Sequence, residues 1–427
     1  MCYFNFITTV LWLPALVSAN VHVDGNSQNG EAFNKPETWM TYPLTKNDYK
    51  FGQISGVAVD ALDNIYIFHR AGRIWNANSF DIENNFLQPQ EGPIKENTIL
   101  VFDKNGTLLN EWGSGIFFLP HGITVDAEFN VWVTDVALHQ IMKLSPQSKS
   151  AVLVLGVRLT PGRDSSHFCK PTSVAVTANG DFFVADGYCN SRIMKFNSKG
   201  VKILEWGRTT VNKDFRTPDP GEFFIPHALA LAEDKNLVFV ADRENGRVQC
   251  FNANTGNFSF IVSSKAIGHR IFSVAYSSVD GGAIYVVNGV DFGQNVPVQG
   301  FKLSMKGELL GSFGPLTNPH DIAISNNGKN VYVVEISPFK AWKFVLNNCT
   351  SQTKSESSKM TTSQPLPVKQ EAVYTIPASE KGLTGALMVT GACILFSAAI
   401  VISAFKYSRS RESGSADWDS LIQNADI

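Results

Sequence analysis

The chain has 427 residues, a hydrophobic content of 44% and a formal net charge of −2 at pH 7. Such a length exceeds one ordinary domain unless the chain forms a repeat or a large all-β architecture. This near-neutral balance gives no electrostatic case for binding nucleic acid, which usually requires a basic face.

The N-terminal segment 1–19 carries no charged side chain and ends in Val-Ser-Ala. An apolar stretch with a small-residue ending is typical of a secretory signal peptide, cleaved here near Ala19. The basic residue with which most signal peptides begin is missing. The alternative is a buried N-terminal strand, and the wholly uncharged stretch favours the signal peptide.

Six segments of similar pattern follow at a spacing of about fifty residues. Each has a short apolar strand, a turn of Asp, Asn or Gly, a second strand rich in Val, Tyr and Phe, a loop, and a third strand. This order is typical of antiparallel strands joined by tight turns. The segments are 54–75, 120–144, 171–196, 226–251, 271–301 and 319–344.

A fourth strand follows several of the segments and ends in an aromatic residue and Gly, as at 108–113, 202–207 and 309–314. Four strands per unit, six units and no helical period predict an all-β fold, a six-bladed β-propeller over residues 20–349. A single blade cannot bury both of its faces, whereas six blades in a ring bury them against their neighbours. The pattern of the segments resembles the NHL repeat.

The C-terminal part predicts a membrane anchor. Residues 350–382 are rich in Ser, Thr, Lys and Pro, which is typical of a disordered stalk. The 23 uncharged residues 383–405 span ~34 Å as a helix, enough to cross a bilayer. Basic residues at the start of the tail 406–427 predict a cytosolic C-terminus. We therefore expect a single-pass type I protein of the secretory pathway, in secretory granules or at the cell surface.

Asn-X-Ser/Thr sequons fit this secretory route and predict a glycoprotein. The sequons lie at Asn105, Asn257 and Asn348. Four cysteines fall between the signal peptide and the membrane span, where an oxidising compartment permits disulfides. They are Cys169, Cys189, Cys250 and Cys349.

Three of the eight histidines occupy one position, directly after Pro at the start of the first strand of repeats two, four and six. They are His121, His227 and His320. The odd repeats carry other residues there: Ser55, Thr172 and Phe272. Alternate blades of a six-bladed ring lie ~120° apart. If the first strand of each blade is the innermost one, the three imidazoles therefore converge on the propeller axis.

Three histidines with an open fourth position are typical of a catalytic zinc site. Such an ion polarises an oxygen atom or lowers the pKa of a bound hydroxyl. The alternative is that each Pro-His pair is a blade-entry turn whose imidazole is simply hydrogen-bonded in the channel. The shared register in alternate blades favours the metal site.

The loops that follow the second strands lie above the channel and provide further candidates. Arg70 and Arg243 occupy these loops in repeats one and four, where a guanidinium fork suits a carboxylate. Tyr188 occupies the loop of repeat three and offers a phenol for proton transfer. The alternatives are surface or packing arginines and an ordinary loop aromatic residue.

Five stretches of the sequence are specific enough to indicate a known family: "IFHR", "LPHGITVD", "DGYCNSRI", "PHALAL" and "VADRENGR". In these stretches, and through the region 35–345, the chain resembles peptidyl-α-hydroxyglycine α-amidating lyase, the family that completes peptide C-terminal amidation. The resemblance implies a catalytic Zn²⁺ held by His121, His227 and His320. It implies a structural Ca²⁺ held by the Asp321 carboxylate and the backbone carbonyls of Val57 and Ile123. It also implies the catalytic residues Arg70, Tyr188 and Arg243 and a disulfide, Cys169–Cys189.

The implied reaction is that of a peptidylamidoglycolate lyase. It cleaves the N–Cα bond of a C-terminal peptidyl-α-hydroxyglycine and gives an amidated peptide and glyoxylate. The zinc would bind the hydroxyl, Tyr188 as phenolate would take its proton, and an arginine would hold the carboxylate. The substrates, from neuropeptide and hormone processing, would come from a separate peptidylglycine hydroxylating monooxygenase, since only a short lead precedes the repeats.

The chain departs from this family at two positions. The second disulfide of the family joins the position of Cys250 to a position that is Phe239 here. Cys250 is therefore either free or paired with Cys349. A methionine near the active site of the family is Asn318 here, which changes the expected shape of the substrate pocket.

Two other function classes fit a propeller. A non-catalytic, membrane-tethered propeller that binds peptides or proteins has no need of three histidines in register together with Tyr188. A calcium-dependent lactonase-type propeller would carry Asp, Asn and Glu on the axis, where this chain has His. The histidines therefore favour the lyase.

Overall fold

A computed structural model describes residues 39–45, 49–211, 217–290 and 296–346. These residues form six four-stranded antiparallel sheets, which are the blades of the predicted propeller. No helix of these ranges is long and apolar enough to cross a membrane. Several predicted features lie outside the described residues: the signal peptide 1–19, the stalk 350–382, the membrane span 383–405, the tail 406–427, and the positions Asn348 and Cys349.

The strands follow the chain from the inside of each blade to the outside, apart from the first strand, β1, Trp39–Pro43. Blade one contains β2 Ile54–Val59, β3 Ile65–His69, β4 Ile99–Phe102 and β5 Leu108–Trp112. Blade two contains β6 Pro120–Val125, β7 Val131–Asp135, β8 Gln140–Leu144 and β9 Ala151–Leu155. Blade three contains β10 Ser173–Val176, β11 Phe182–Asp186, β12 Arg192–Phe196 and β13 Lys202–Trp206.

The next two strands, β14 Arg208–Thr209 and β15 Glu222–Phe223, form a short parallel pair between blades three and four. Blade four contains β16 Pro226–Ala232, β17 Leu237–Asp242, β18 Arg247–Asn252 and β19 Phe258–Val262. Blade five contains β20 Ile271–Ser277, β21 Ala283–Asn288, β22 Gly300–Ser304 and β23 Leu309–Phe313. Blade six contains β24 Pro319–Ile324, β25 Asn330–Glu335, β26 Lys340–Leu346 and, as its outermost strand, β1. Short 3-10 helices lie at Pro89–Glu91, Glu233–Lys235, Arg243–Asn245, Lys265–Ile267 and Val279–Gly281.

The strand sequences follow from where each strand lies in its blade. The second strand β11 reads Phe-Phe-Val-Ala-Asp and is buried throughout, because both of its faces pack on neighbouring blades. The outer strand β13 reads Lys-Ile-Leu-Glu-Trp and keeps partial exposure along its length. The first strands of neighbouring blades contact each other around the axis, so β2, β6 and their equivalents are the innermost strands, as predicted.

The hydrophobic core is divided among the interfaces between blades. Six clusters of buried side chains lie one between each pair of neighbours, including blades six and one. Aromatic side chains fill the wedges: Phe182 stacks on Phe196, and Trp132 of blade two packs on Phe182 of blade three. The abundance of Phe is explained by this wedge filling, since large side chains bury much apolar surface.

Candidate metal and active site

The three histidines meet on the axis. One ring nitrogen of each histidine lies within 4.8 Å of the matching nitrogens of the other two, and every ring is buried. The ring centroids form a near-equilateral triangle with sides of 4.8 to 4.9 Å. The convergence predicted from alternate blades is therefore confirmed for His121, His227 and His320.

A break in the β-ladder accompanies each histidine. The pairing of the first with the second strand shifts at the histidine position in all three blades: between Pro120 and Ile123, between Pro226 and Ala228, and between Pro319 and Asp321. An extra residue in one strand redirects a side chain out of the regular alternation. Blades one and five shift at the same position, at Ser55 and Phe272, so the bulge is a feature of blade entry that the histidines occupy in blades two, four and six.

Each imidazole is oriented by the next blade. The Nδ1 atoms hydrogen-bond to backbone carbonyls at 2.8 Å for His121 and Thr172, 2.6 Å for His227 and Phe272, and 2.7 Å for His320 and Ser55. A carbonyl only accepts, so each neutral ring carries its proton on Nδ1 and its lone pair on Nε2. Three Nε2 lone pairs facing one point, each fixed by an outer hydrogen bond, match the donor set of a zinc site.

Tyr188 lies beside this donor set. Its Oη is 3.0 Å from Nε2 of His121 and 3.1 Å from Nε2 of His227, and its ring is fully buried. The loop that carries it is tightly packed, because a Cβ on Gly187 would collide with the carbonyl oxygen of Pro226. The disulfide between Cys169 and Cys189 is present, with Cα atoms 5.5 Å apart, and fixes the other side of the tyrosine.

Arg70 is buried and held on two sides. Its Nε donates to the carbonyl of Pro120 at 2.9 Å, and its Nη1 donates to Gln53 Oε1 at 2.9 Å. The same Gln53 oxygen accepts from the backbone N–H of Trp75 at 2.8 Å. The Trp75 ring lies under the Arg70 guanidinium at 5.0 Å and packs on the Tyr188 ring at 4.9 Å. Gln53 and Trp75 were not predicted, since no local motif marks either residue.

Arg243 approaches the axis from the other side. Its guanidinium lies 5.5 Å from the ring centre of Tyr188 and 5.0 Å from that of Phe272, and it is fully buried. Its Nε donates to Glu244 at 2.8 Å. The structure thus brings both predicted arginines into contact with aromatic neighbours of the histidine site.

A buried carboxylate at the end of the second strand fixes the chain that leads into each Pro-His pair. Asp135 Oδ2 accepts from the backbone N–H groups of Phe118 at 2.7 Å and Leu119 at 2.9 Å. Asp242 and Glu335 accept equivalent backbone bonds in blades four and six. Burial raises the pKa of Asp135, and the N–H donors oppose this shift. These three acidic residues were not predicted as part of the site, although "VTD", "VAD" and "VVE" end the three strands.

The three residues implied as calcium ligands also lie on the axis. Val57, Ile123 and Asp321 line one cavity together with the three histidines. Asp321 Oδ2 accepts from the backbone N–H of Val57 at 2.9 Å, and its Oδ1 accepts from Ser273 at 2.7 Å. Burial raises the pKa of the Asp321 carboxyl. Asp321 is half-buried, and a carboxylate is a ligand that suits a hard cation such as Ca²⁺.

The two departures from the family pattern are both located. Cys250 is a free, buried thiol paired in register with Phe239, and burial raises its pKa. Asn318 is half-buried at the entry to blade six, where its N–H donates to Glu335 at 2.8 Å. The sequon residues Asn105 and Asn257 are exposed in turns between outer strands.

The fold and the site define the class of protein: a six-bladed β-propeller that carries three histidines on its axis. The family described as "NHL repeat" matches residues 168–196 and 225–251, in blades three and four.

Proteins of similar sequence identify the family within this class of propeller. "Peptidyl-glycine alpha-amidating monooxygenase B" of Xenopus laevis is 47% identical, over 69% of this chain and 34% of that protein. "Peptidyl-alpha-hydroxyglycine alpha-amidating lyase 1" of Drosophila melanogaster is 43% identical, over 73% of this chain and 60% of that protein. Lyase 2 of the fly is 42% identical, over 73% of this chain and 75% of that protein. The chain belongs to the peptidyl-alpha-hydroxyglycine alpha-amidating lyase family, and it spans about a third of the length of the frog relative.

Proposed function

We propose that the chain is a zinc-dependent lyase that converts a C-terminal peptidyl-α-hydroxyglycine into a peptide amide and glyoxylate. The observation that carries the proposal is the convergence of three Nε2 lone pairs with the Tyr188 hydroxyl on the propeller axis. Bound to His121, His227 and His320, a zinc ion supplies Lewis acidity and lowers the pKa of the substrate hydroxyl.

The reaction needs one proton to move from oxygen to nitrogen. Tyr188, as the phenolate, takes the proton of the substrate hydroxyl at its Oη. The oxygen electron pair forms the aldehyde C=O, the N–Cα bond breaks, and the amide nitrogen leaves with its electron pair. The same proton then passes to that nitrogen, so atoms and charge balance. Such proton transfer contributes about 10²–10⁴-fold to a rate.

The arginines bind the carboxylate of the hydroxyglycine. A guanidinium fork pairs with a carboxylate through two charge-assisted hydrogen bonds. Arg70 and Arg243 are both buried, where such bonds are strong because little water competes. Holding the carboxylate fixes the α-carbon and its hydroxyl beside Tyr188.

We further propose that Asp321, with the carbonyls of Val57 and Ile123, holds a structural Ca²⁺. We expect a peptidylglycine-hydroxylating monooxygenase to supply the substrate. The predicted signal peptide and membrane span support a membrane-anchored enzyme of the secretory pathway.

The test is release of glyoxylate from a peptide extended by α-hydroxyglycine. We expect release by metal-replete protein, loss after chelation, and recovery with added Zn²⁺ but not with Ca²⁺ alone. His227→Ala should lose bound zinc and slow the reaction on the order of 10³-fold, since the metal contributes several kcal/mol. His167→Ala is the control, because His167 pairs with Asp164 in a surface loop. No release by metal-replete protein would reject the lyase and leave the alternative of a peptide-binding propeller.

A further inference from the structure

Glu244 lies between two arginines at the rim of the site. Its Oε1 accepts from Arg243 Nε at 2.8 Å and from Arg270 Nη2 at 2.8 Å, and its Oε2 accepts from Arg270 Nε at 3.0 Å. The Glu244 side chain is 10% exposed and that of Arg270 is 15% exposed, so these bonds are largely shielded from water. The carboxylate thus joins a loop residue of blade four to the entry of blade five.

The arrangement keeps Glu244 charged. Burial alone would raise the pKa of its carboxyl, but the guanidinium groups of Arg243 and Arg270 hold that pKa below its usual value. One anion between two cations leaves a net positive charge beside the axis. An ionised Glu244 therefore remains a strong acceptor throughout the neutral range.

The hydrogen bond from Arg243 to Glu244 engages the Nε edge of the Arg243 guanidinium. Glu244 occupies the Nε position, which fixes rotation of the guanidinium plane about the end of the side chain. Both guanidinium groups lie over the Phe272 ring, at 5.0 Å for Arg243 and 5.1 Å for Arg270. The backbone carbonyl of Phe272 in turn orients His227. The glutamate, the two arginines and one histidine of the metal site thus form one contiguous set.

We propose that Glu244 is a positioning residue that orients Arg243 to receive the carboxylate of the hydroxyglycine substrate and of the glyoxylate product. The inference rests on the proposed lyase function. Glu244 itself does not touch the reacting atoms. Its contribution is to substrate binding through Arg243, and hence to KM more than to kcat.

The test is Glu244→Gln, an isosteric change that removes the charge. Hydrogen bonds to charged groups contribute enough for a rise in KM of about tenfold, with kcat changed by less than about threefold. The dissociation constant of glyoxylate, measured by calorimetry on the zinc-loaded protein, should rise by the same factor. A purely structural role would lower the melting temperature or kcat and leave glyoxylate affinity unchanged.

Two further variants keep the test decisive. Arg270→Gln removes the fork on the far side of Glu244 and should raise KM by a smaller factor, and Glu244→Asp should restore part of the lost affinity. Glu205→Gln is the matched control, because Glu205 pairs with Arg192 at an outer strand away from the axis. Wild-type affinity for glyoxylate in both Glu244→Gln and Arg270→Gln overturns the inference. Absence of glyoxylate release by the wild-type protein instead rejects the lyase function.

Discussion

Tyr188 has two roles that depend on different parts of its side chain: the ring packs, and the hydroxyl is proposed to transfer a proton. Its ring packs on Trp75 at 4.9 Å, and its hydroxyl faces the Nε2 atoms of His121 and His227. Removal of the hydroxyl leaves the ring contacts in place. The chemistry and the fold can therefore be measured independently at this position.

We expect Tyr188→Phe to reduce glyoxylate release by about 10²–10⁴-fold, because the proton acceptor is lost. Unfolding free energy should fall by only about 0.5–1.5 kcal/mol, the net contribution of one hydrogen bond. Zinc content, measured by atomic emission, should stay at the wild-type level. The control is Tyr332→Phe, since the buried Tyr332 hydroxyl has no hydrogen-bond partner among the described residues. Full activity in Tyr188→Phe would contradict its role as base.

The axial histidines could be predicted from sequence, because a repeat converts equal register into equal position around one axis. Glu244 could not be predicted in this way. Its partner Arg270 lies 26 residues further along the chain and in the next blade, so no local pattern links them. Gln53 is similar, since its bonds to Arg70 and Trp75 depend on how two loops fold back. Contacts between loops depend on tertiary packing, which a repeat pattern does not encode.

In blades two, four and six, the acidic residue at the end of the second strand anchors the start of the first strand. Asp135 accepts four backbone hydrogen bonds, two from the residues before the Pro120–His121 pair and two from the turn after its own strand. A single carboxylate therefore sets both the entry of β6 and the exit of β7. The four strands of each blade were predictable from the alternation of apolar and polar residues and from the turns. The hydrogen bonds of Asp135 were not, because they join two segments whose contact no local pattern indicates.

Asp135→Asn replaces one acceptor oxygen by an amide that faces two backbone N–H donors. Unsatisfied buried donors cost about 1–3 kcal/mol each, so the two donors should together lower the free energy of unfolding by about 2–6 kcal/mol. The entry to His121 should shift, and zinc affinity should fall with it. Asp103→Asn is the control, because Asp103 caps an outer turn through the N–H groups of Asn105 and Thr107. Urea unfolding and zinc titration distinguish the two variants; equal zinc affinity in both would show that the anchor does not position the metal site.

The propeller ring is closed by β1, a strand that precedes all of the repeats and joins the last blade. β1 pairs with β26, with Thr41 opposite Phe344, and completes blade six. The closure brings blades six and one together over their own hydrophobic cluster. Because the axial site draws one histidine from each of blades two, four and six, its geometry depends on every interface in the ring. The sequence predicted six blades, but the closing strand was not assigned, since its partner lies at the other end of the repeats.

Lys170 should make the stability of the propeller depend on pH. It is fully buried beside the Phe80 and Tyr188 rings, at 4.5 Å and 6.0 Å from their centres. Burial lowers its pKa from 10.5 to about 7, and Asp81 opposes the shift. Between these two values the unfolded chain holds a proton that the folded protein has released. Stability must therefore rise with pH through this window, by up to about 1.4 kcal/mol per pH unit.

We expect this slope in urea unfolding of the wild-type protein between pH 7 and pH 9, and a flatter curve for Lys170→Gln. Burial also lowers the pKa of Lys149 and Lys343, which adds a slope of the same sign that both chains share. The difference between the two curves therefore isolates Lys170. Lys199→Gln, at an exposed turn of blade three, should reproduce the wild-type slope. Parallel curves for wild type and Lys170→Gln would mean that Lys170 keeps its proton in the folded state, with Asp81 compensating for its burial.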